Sequence, residues 1–415
     1  MVPGVSQYTP VSEAVGKALA QLRLPEEETV PTRKAFGRTG SRNVESPSDV
    51  PPFSTSHMDG FAIRVADSVG ASEATPRELN LIGSLPLAKT PSEHLAAGQA
   101  VRVSTGSYLP SEADAVVPVE EAAVVGDRLH IVREVARGSF IFGAGEDVPR
   151  GKLVVKTGET IRGQEIGMLV ALGIRSVKVW RRPRVAVLAT GSELTNSMSA
   201  RSRKTRNSHA PVFLAMAGAA GCEVVDLGIA PDRVGVILDR VSRGLRRVDL
   251  ILMTGGTSVG KLDLADEVLS RLRPNVLCHG LRMDRGRVAG LAVVKGKGIV
   301  MMPGPIQGAM NAFILLGLPM ISRLSGGKVP ETAVSAMLTR QWEARKKFPN
   351  FTKVVYLKVI RTGNETIAEP LAGETESMSL LTDSNAYAVI PEEVTSLEAG
   401  REIEARLLPG FSFAL

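Results

Sequence analysis

Between Pro10 and Leu24 the apolar residues fall at Val11, Val15, Leu19 and Leu22, the spacing of one helix face, with Ser12 near its start and Pro25 as its stop. From Thr29 to about Asp147 the pattern shortens into β-type runs broken by Gly and Pro. Phe61–Val65, Ala100–Val103, Ala115–Val119 and Leu129–Val132 predict a β-rich module. Helical spacing returns between Leu153 and Trp180, at Ile166, Leu169, Val170 and Leu172, and closes with Gly173 and a short strand, Ser176–Val179.

Beyond Pro183, strands at Val185–Ala189, Glu223–Leu227, Leu250–Met253 and Ile299–Met302 alternate with helices at Pro211–Ala220, Val234–Leu245 and Gly308–Leu318. This alternation predicts a doubly wound parallel sheet covered on both faces. Past Lys328, short alternating strands at Phe351–Val359, Glu365–Pro370, Ala386–Ile390 and Glu402–Arg406 predict a small antiparallel barrel. The expected fold is multidomain α/β in four parts. These are a discontinuous helical linker domain (1–45 and 148–180), a β-rich domain (46–147), an α/β domain (181–327) and a C-terminal β-barrel (328–415).

Composition narrows the function classes. Hydrophobic residues make up 44% and charged residues 22% of 415, which excludes a disordered chain. The net charge of +7 favours anionic small ligands, but the excess is spread along the chain. The basic segment Arg201 to Arg206 has no interleaved aromatics, so it reads as a solvated loop and no nucleic-acid partner is expected. Cys222 and Cys278 lack the spacing of a zinc cluster or redox pair, and His57, His209 and His279 share no metal-ligand spacing. The first residues lack a signal-peptide core, and the longest apolar run, Ala312–Ile321, falls short of the ~20 residues of a membrane span. The expected setting is the cytoplasm, away from membranes.

Ligands of open parallel sheets bind where strand ends meet helix starts. Three loops qualify: Thr190-Gly191-Ser192-Glu193, the run from Thr254 through Gly255, Gly256, Thr257 and Ser258 to Gly260, and Pro303-Gly304-Pro305. A Gly-Gly loop alone reads as a tight turn. Beside two other glycine-bearing strand ends it reads as an oxyanion or phosphate cradle. It has neither the Gly-Lys-Ser/Thr ending of a P-loop nor the dinucleotide glycine fingerprint. Glu193, Asp232 and Asp263 cluster near these loops, as carboxylates do when they hold a divalent cation or orient water. For Asp232, before Arg233, a helix-capping role is equally open. In the β-rich module, Ser56 to Ala62 carries Asp59-Gly60, which a hairpin turn would also explain, and Ser104-Thr105-Gly106 and Gly145-Glu146-Asp147 follow.

Read in order, these segments resemble the molybdopterin molybdenumtransferase family, the MoeA-like enzymes and the corresponding domain of gephyrin. The resemblance also rests on Ala113 to Val117, Asn207-Ser208 and Asp226-Leu227-Gly228-Ile229, and it covers nearly the whole chain. It implies a homodimer with a cleft between the molybdopterin-binding α/β domain of one subunit and the β-rich domain of the other. It also implies insertion of molybdate or tungstate into adenylylated molybdopterin, with release of AMP and a divalent cation such as Mg2+ present. The residues carried over as catalytic are Asp59, Thr105, Asp147, Glu193, Asp232 and Asp263, with Glu193 and Asp263 on the metal. Those carried over as ligand-binding are Thr190, Gly191, Gly255, Gly256, Thr257, Ser258, Gly260, Arg285, Arg287, Pro303 and Gly304. Contact with a molybdopterin adenylyltransferase is the further partner implied.

The chain departs from that family's pattern at four places. Ser192 stands for an acid, Asp284 for a lysine and Phe142 for an arginine, and Pro305-Ile306 replaces the usual Asn-Pro after Pro303-Gly304. These departures predict a cleft poorer in cations. Two other readings compete: an adenylyltransferase built on the same type of α/β domain, and a non-catalytic pterin-binding or scaffold relative.

Overall fold

The computed structural model describes residues 8–87, 89, 94–199, 203–255, 264–327, 332–363 and 365–411. The chain gathers into two compact units. One comprises Met1–Arg42, Thr157–Arg162 and Lys178–Leu415, the other Asn43–Lys156 and Gly163–Val177.

The first unit is built on a six-stranded sheet in the order Glu223–Ala230, Arg184–Thr190, Leu250–Thr254, Lys297–Met302, Gly290–Val294 and Val276–His279. The first four strands are parallel, as their near-continuous apolar runs predict. Both faces are buried, and alternation divides them. Val185, Val187, Leu250 and Leu252 enter one core with Phe213 and Phe313, while Ala186, Leu188, Ile251 and Met253 enter the other with Ile237, Val241 and Val268. The last two strands are antiparallel additions that the periodicity did not reveal. They are short, and a two-residue turn joins Gly290–Val294 to Lys297–Met302. In that turn Lys295 and Gly296 both have positive φ, +51° and +81°, so Lys-Gly stands where Asn-Gly is the usual signal.

The helix Val11–Gln21 places Val11, Ala14 and Ala18 in the first of these cores. The helix expected at Gly308–Leu318 runs on to Leu324 through a π-helical turn at Phe313–Gly317. That turn precedes Pro319, which has no amide to donate to the preceding turn.

Past residue 331, five strands close a barrel in the order Ala333–Leu338, Glu365–Pro370, Lys353–Thr362, Ala386–Ile390 and Glu402–Leu407. It departs from the expected antiparallel barrel in one pair, since Ala333–Leu338 runs parallel to Glu365–Pro370. Val355, Leu357 and Val359 fill the barrel, while Val354 and Tyr356, of opposite parity, pack into the α/β core. The Tyr356 hydroxyl, fully buried, donates to Asn311 Oδ1 at 2.7 Å.

The second unit carries a six-stranded sheet in the order Ala115–Pro118, Gly60–Ile63, Gln99–Val103, Arg77–Ser84, Arg128–Ile131 and Ala122–Val125. Phe61, Ile63, Ala115 and Val117 face one core and Ala62, Val101, Val103 and Val116 the other. Leu153–Val155 is a strand paired with Val44–Glu45, and the helix lies at Gly163–Ala171.

Burial pushes the Cys222 thiol up to about 12, with Asp249 adding to the shift, and pushes Cys278 up as well. A thiol whose folded pKa is raised contributes stability that is intact below the unfolded value of ~8.5 and is lost as pH climbs towards the folded value. Alkylation near pH 8 should therefore leave Cys222 unmodified in the native protein and modify it on unfolding, as read by mass spectrometry. Rapid labelling of native Cys222 would contradict this burial.

Candidate active site

Four parallel strands end together, and hydrogen bonds from main-chain amides and one threonine hydroxyl tie their ends. At the close of Arg184–Thr190 the buried Thr190 donates its hydroxyl to Thr254 O at 3.0 Å, and the Gly191 amide donates to Ala230 O at 3.0 Å. The Gly255 amide donates to Met302 O at 3.1 Å, so this donor is engaged within the fold and not left for an anion. Gly255 has φ +81°, and a Cβ there would lie 2.4 Å from Thr190 O. Only glycine lets the strand ends approach this closely. Gly256, Thr257, Ser258, Gly260 and Asp263 lie outside the described residues.

The acidic side of the rim is ordered from within. The Ser192 amide donates to Asp232 Oδ2 at 2.8 Å, and the Asp232 amide donates to Ser192 Oγ at 3.0 Å. Asp232 thus fixes a loop, which the capping alternative anticipated for a different backbone. Ser192, standing for an acid, closes this pair without setting a second carboxylate against Asp232. Glu193 is exposed and its carbonyl accepts from the Thr205 amide at 3.0 Å, while its carboxylate lies over Gly191, where a Cβ would be 2.5 Å from Oε1, and has no hydrogen-bond partner among the described residues. Leu194–Thr195 pairs in parallel with Thr205–Arg206, and Lys204 donates to Ser192 O at 3.0 Å, so the basic run borders this loop.

A cleft of about 910 Å³ opens on this rim. Thr190, Gly191, Glu193, Asp232, Gly255, Pro303 and Gly304 line one part of it, and Arg285 and Arg287 line another. Nine of the residues expected from the sequence therefore share one surface. Arg285, at φ +51°, donates from Nη1 to Gln307 Oε1 at 2.6 Å and to Gly373 O at 2.5 Å. Burial holds its guanidinium below the ordinary value, Arg345 adds to that, and Asp284 opposes it. The Arg287 guanidinium lies 4.6 Å from the centroid of the Phe348 ring.

Sequence reading missed the contribution of the C-terminal part. Arg345, Lys347 and Phe348 also line the cleft. The Phe348 ring meets that of Phe351 in a tilted contact at 5.0 Å, and Phe351 in turn meets Tyr8 at 5.3 Å. The signal was the run Arg345-Lys346-Lys347-Phe348 between two strands, a basic segment carrying an aromatic. The cleft is thus lined by four cations, Arg285, Arg287, Arg345 and Lys347. Asp284 lines a neighbouring cavity instead of the cleft, and its carboxylate is paired with Arg345.

In the second unit Asp59 Oδ1 accepts from the Thr105 amide at 2.7 Å and from the Thr105 hydroxyl at 3.2 Å, bringing those two together. Asp147 is exposed, and no hydrogen bond joins it to either. Phe142 meets the His57 ring at 5.1 Å. Among the described residues no group of three or more His, Cys, Asp or Glu is placed to hold a metal ion, and no helix is long and apolar enough to cross a membrane.

A strand-end cleft on a doubly wound sheet, joined to a barrel and accompanied by a β-rich unit, defines a multidomain α/β class of small-molecule-binding proteins. Residues 9–173 match the MoeA N-terminal region (domain I and II), 186–323 a probable molybdopterin binding domain, and 335–408 the MoeA C-terminal region (domain IV). The chain belongs to the MoeA family of molybdenum cofactor biosynthesis proteins. The molybdopterin molybdenumtransferase of Bacillus subtilis is 28% identical over 406 residues, covering 96% of this chain and 94% of that protein. The enzyme of the same name from Staphylococcus aureus is 27% identical over 397 residues, covering 95% and 94%. Two crystal structures of MoeA proteins from Pyrococcus horikoshii superpose with TM-scores of 0.85 and 0.82, each at 28% identity, covering 98% and 97% of this chain and 100% of those. Because MoeA regions flank the α/β domain on both sides, the adenylyltransferase reading is not favoured.

Gly255→Ala should lower stability by about 2 kcal/mol or more, because an alanine there combines left-handed backbone with a clash on Thr190 O. Gly304→Ala, where a Cβ meets nothing within 4 Å, is the control. Urea unfolding of both variants checks this, and equal midpoints would remove the close approach from the account.

Proposed function

We propose that the protein is a molybdopterin molybdenumtransferase that takes adenylylated molybdopterin and molybdate or tungstate, inserts the metal into the pterin dithiolene and releases AMP. The observation that carries the reading is the composition of the cleft, where Glu193 and Asp232 stand on a strand-end rim facing Arg285, Arg287, Arg345 and Lys347. Such a set suits a substrate with several anionic groups, since cations and an arginine fork bind phosphate and tetrahedral oxyanions by charge-assisted hydrogen bonds. Molybdate and tungstate are tetrahedral dianions of nearly equal size, so both are substrates to test.

Glu193 is suited to a divalent cation such as Mg2+, because its carboxylate is exposed in the cleft and unengaged. Magnesium typically takes only one or two carboxylates, with water and phosphate oxygens completing its sphere. Asp263 is the proposed second carboxylate. A bound cation would neutralise charge on phosphate oxygens. The chain's own residues do the rest. Asp232 fixes the Glu193 loop through Ser192, Arg285 holds a cation against the cleft floor, and the Arg287–Phe348 stack orients a second.

Asp59, Thr105 and Asp147 are proposed to act in the same reaction from the partner subunit of a homodimer, with a four-part domain division as outlined from the sequence. A cytoplasmic location and substrate delivery by a molybdopterin adenylyltransferase complete the proposal.

Incubation with adenylylated molybdopterin, Mg2+ and either oxyanion should release AMP. Glu193→Gln should lower that rate on the order of 100-fold or more, the scale on which one positioned group acts, with the unfolding midpoint unchanged. Absence of AMP release from the wild-type protein, or full turnover by the variant, would overturn this assignment. Sedimentation at micromolar concentration should show a dimer, with an interface above ~2,000 Å². A fully active monomer would contradict the shared site.

A further inference from the structure

Beside the cleft lies a second cavity of about 400 Å³, and two cations, Arg285 and Arg345, border both. The two are held differently. Arg285 is anchored to Gln307 and to the Gly373 carbonyl. The other cations of the second cavity are also committed. Lys353 Nζ donates to three carbonyls, Pro391 O, Glu392 O and Val394 O, and Arg340 Nη2 donates to Pro370 O at 2.6 Å. Among the described residues the Arg345 guanidinium has one hydrogen-bond partner. Its guanidinium donates to the Asp284 carboxylate through both Nε, at 3.2 Å to Oδ2, and Nη2, to Oδ1.

Within this pair the acid is fixed and the base is not. The Asp284 side chain is 13% exposed and that of Arg345 is 43% exposed. The Asp284 amide donates to Thr352 O at 2.8 Å, and its carbonyl accepts from Asn311 Nδ2 at 3.0 Å. Asn311 is itself locked by the buried Tyr356 hydroxyl. Arg345 belongs to the exposed segment between Trp342–Glu343 and Lys353–Thr362. An ion pair with one solvent-exposed partner is readily exchanged for a better one, because water and salt already screen that partner.

We propose that Arg345 is a ligand-binding cation of the cleft, held on Asp284 until an anionic group of the ligand competes for it. The chemistry favours the exchange. The guanidinium fork that grips a carboxylate bidentately grips a phosphate or a tetrahedral oxyanion in the same way, and a dianion attracts it more strongly than a monoanion. Arg345 repels the Arg285 guanidinium, and the Asp284 carboxylate offsets that repulsion. An incoming anion takes over this role. Asp284 thereby tunes affinity: it keeps Arg345 ordered in the free protein and costs the ligand the energy of breaking one ion pair. Lys347, which lines the cleft without a hydrogen bond or ion pair among the described residues, supplies charge that needs no exchange.

This proposal rests on the cleft being the substrate site, and its test separates the two. Calorimetric titration with AMP and, independently of any reaction, with inorganic pyrophosphate is carried out at two salt concentrations on the wild-type protein, Arg345→Gln, Arg345→Lys, Asp284→Asn and the Asp284→Asn/Arg345→Gln double variant. Arg345→Gln should bind both anions roughly five- to tenfold more weakly with a shallower salt dependence, the loss of one charge-assisted contact. Arg345→Lys should restore the salt dependence but only part of the affinity. Asp284→Asn should bind about threefold or more tightly than wild type, and the double variant should match Arg345→Gln alone, the non-additivity expected of one shared interaction. Wild-type affinity in Arg345→Gln, an Asp284→Asn gain that persists without Arg345, or no binding of either anion would each overturn the proposal. Pyrophosphate binding with the expected pattern but no AMP release would sustain it and sink the transferase reading. AMP release with no effect of Arg345 would do the reverse.

Discussion

Cross-strand hydrogen bonds at the carboxyl edge of the parallel sheet decide what the first unit can do. Gly191 bonds to Ala230, Gly255 to Met302 and the Thr190 hydroxyl to Thr254, each reaching to a neighbouring strand. A parallel sheet normally frays into loops here. Tied in this way, the edge becomes a rigid shelf. Glu193 stands over Gly191 because no side chain intervenes, and Gly308, whose Cβ would lie 2.7 Å from Arg285 O, lets the first turns of the helix Ile306–Ala312 pack against the arginine loop. Acid and base are therefore set by backbone geometry before any ligand arrives, which is the arrangement that makes a charged site effective.

The positive charge of the cleft comes from two modules. Arg285 and Arg287 belong to the α/β domain, and Arg345 and Lys347 to the connection between the barrel strands Ala333–Leu338 and Lys353–Thr362. Tyr356 and Val354 join the modules below the site by entering the α/β core from a barrel strand. An aspartate at 284, which looks in the sequence like charge lost from the site, is in the fold the anchor of a cation. Charge counted along a chain and charge presented to a ligand are different quantities.

Much of this was legible in the sequence. The parallel strands, the helix at Val234–Leu245 and the barrel follow from periodicity, and nine expected residues line one cleft. What stayed hidden had physical causes. Gly290–Val294 and Val276–His279 are too short to show a period, and their turn is built on Lys295-Gly296. The parallel pair in the barrel depends on which strands close it, a tertiary outcome. Helix Val11–Gln21 shows an apolar face without showing which core receives it. Arg345 and Lys347 show in the sequence only as a basic run beside Phe348, and the packing of the barrel against the sheet turns them towards the rim.

The rigid shelf is the claim on which the rest depends, and amide hydrogen exchange on the ligand-free protein tests it most directly. If the strand ends are tied as described, the amides of Gly191 and Gly255 exchange as slowly as those of Val187 and Leu252 in the sheet interior, because opening them requires the same cooperative unfolding. Exchange of Gly191 and Gly255 at the rate of an exposed loop, with the interior strands still protected, would contradict it.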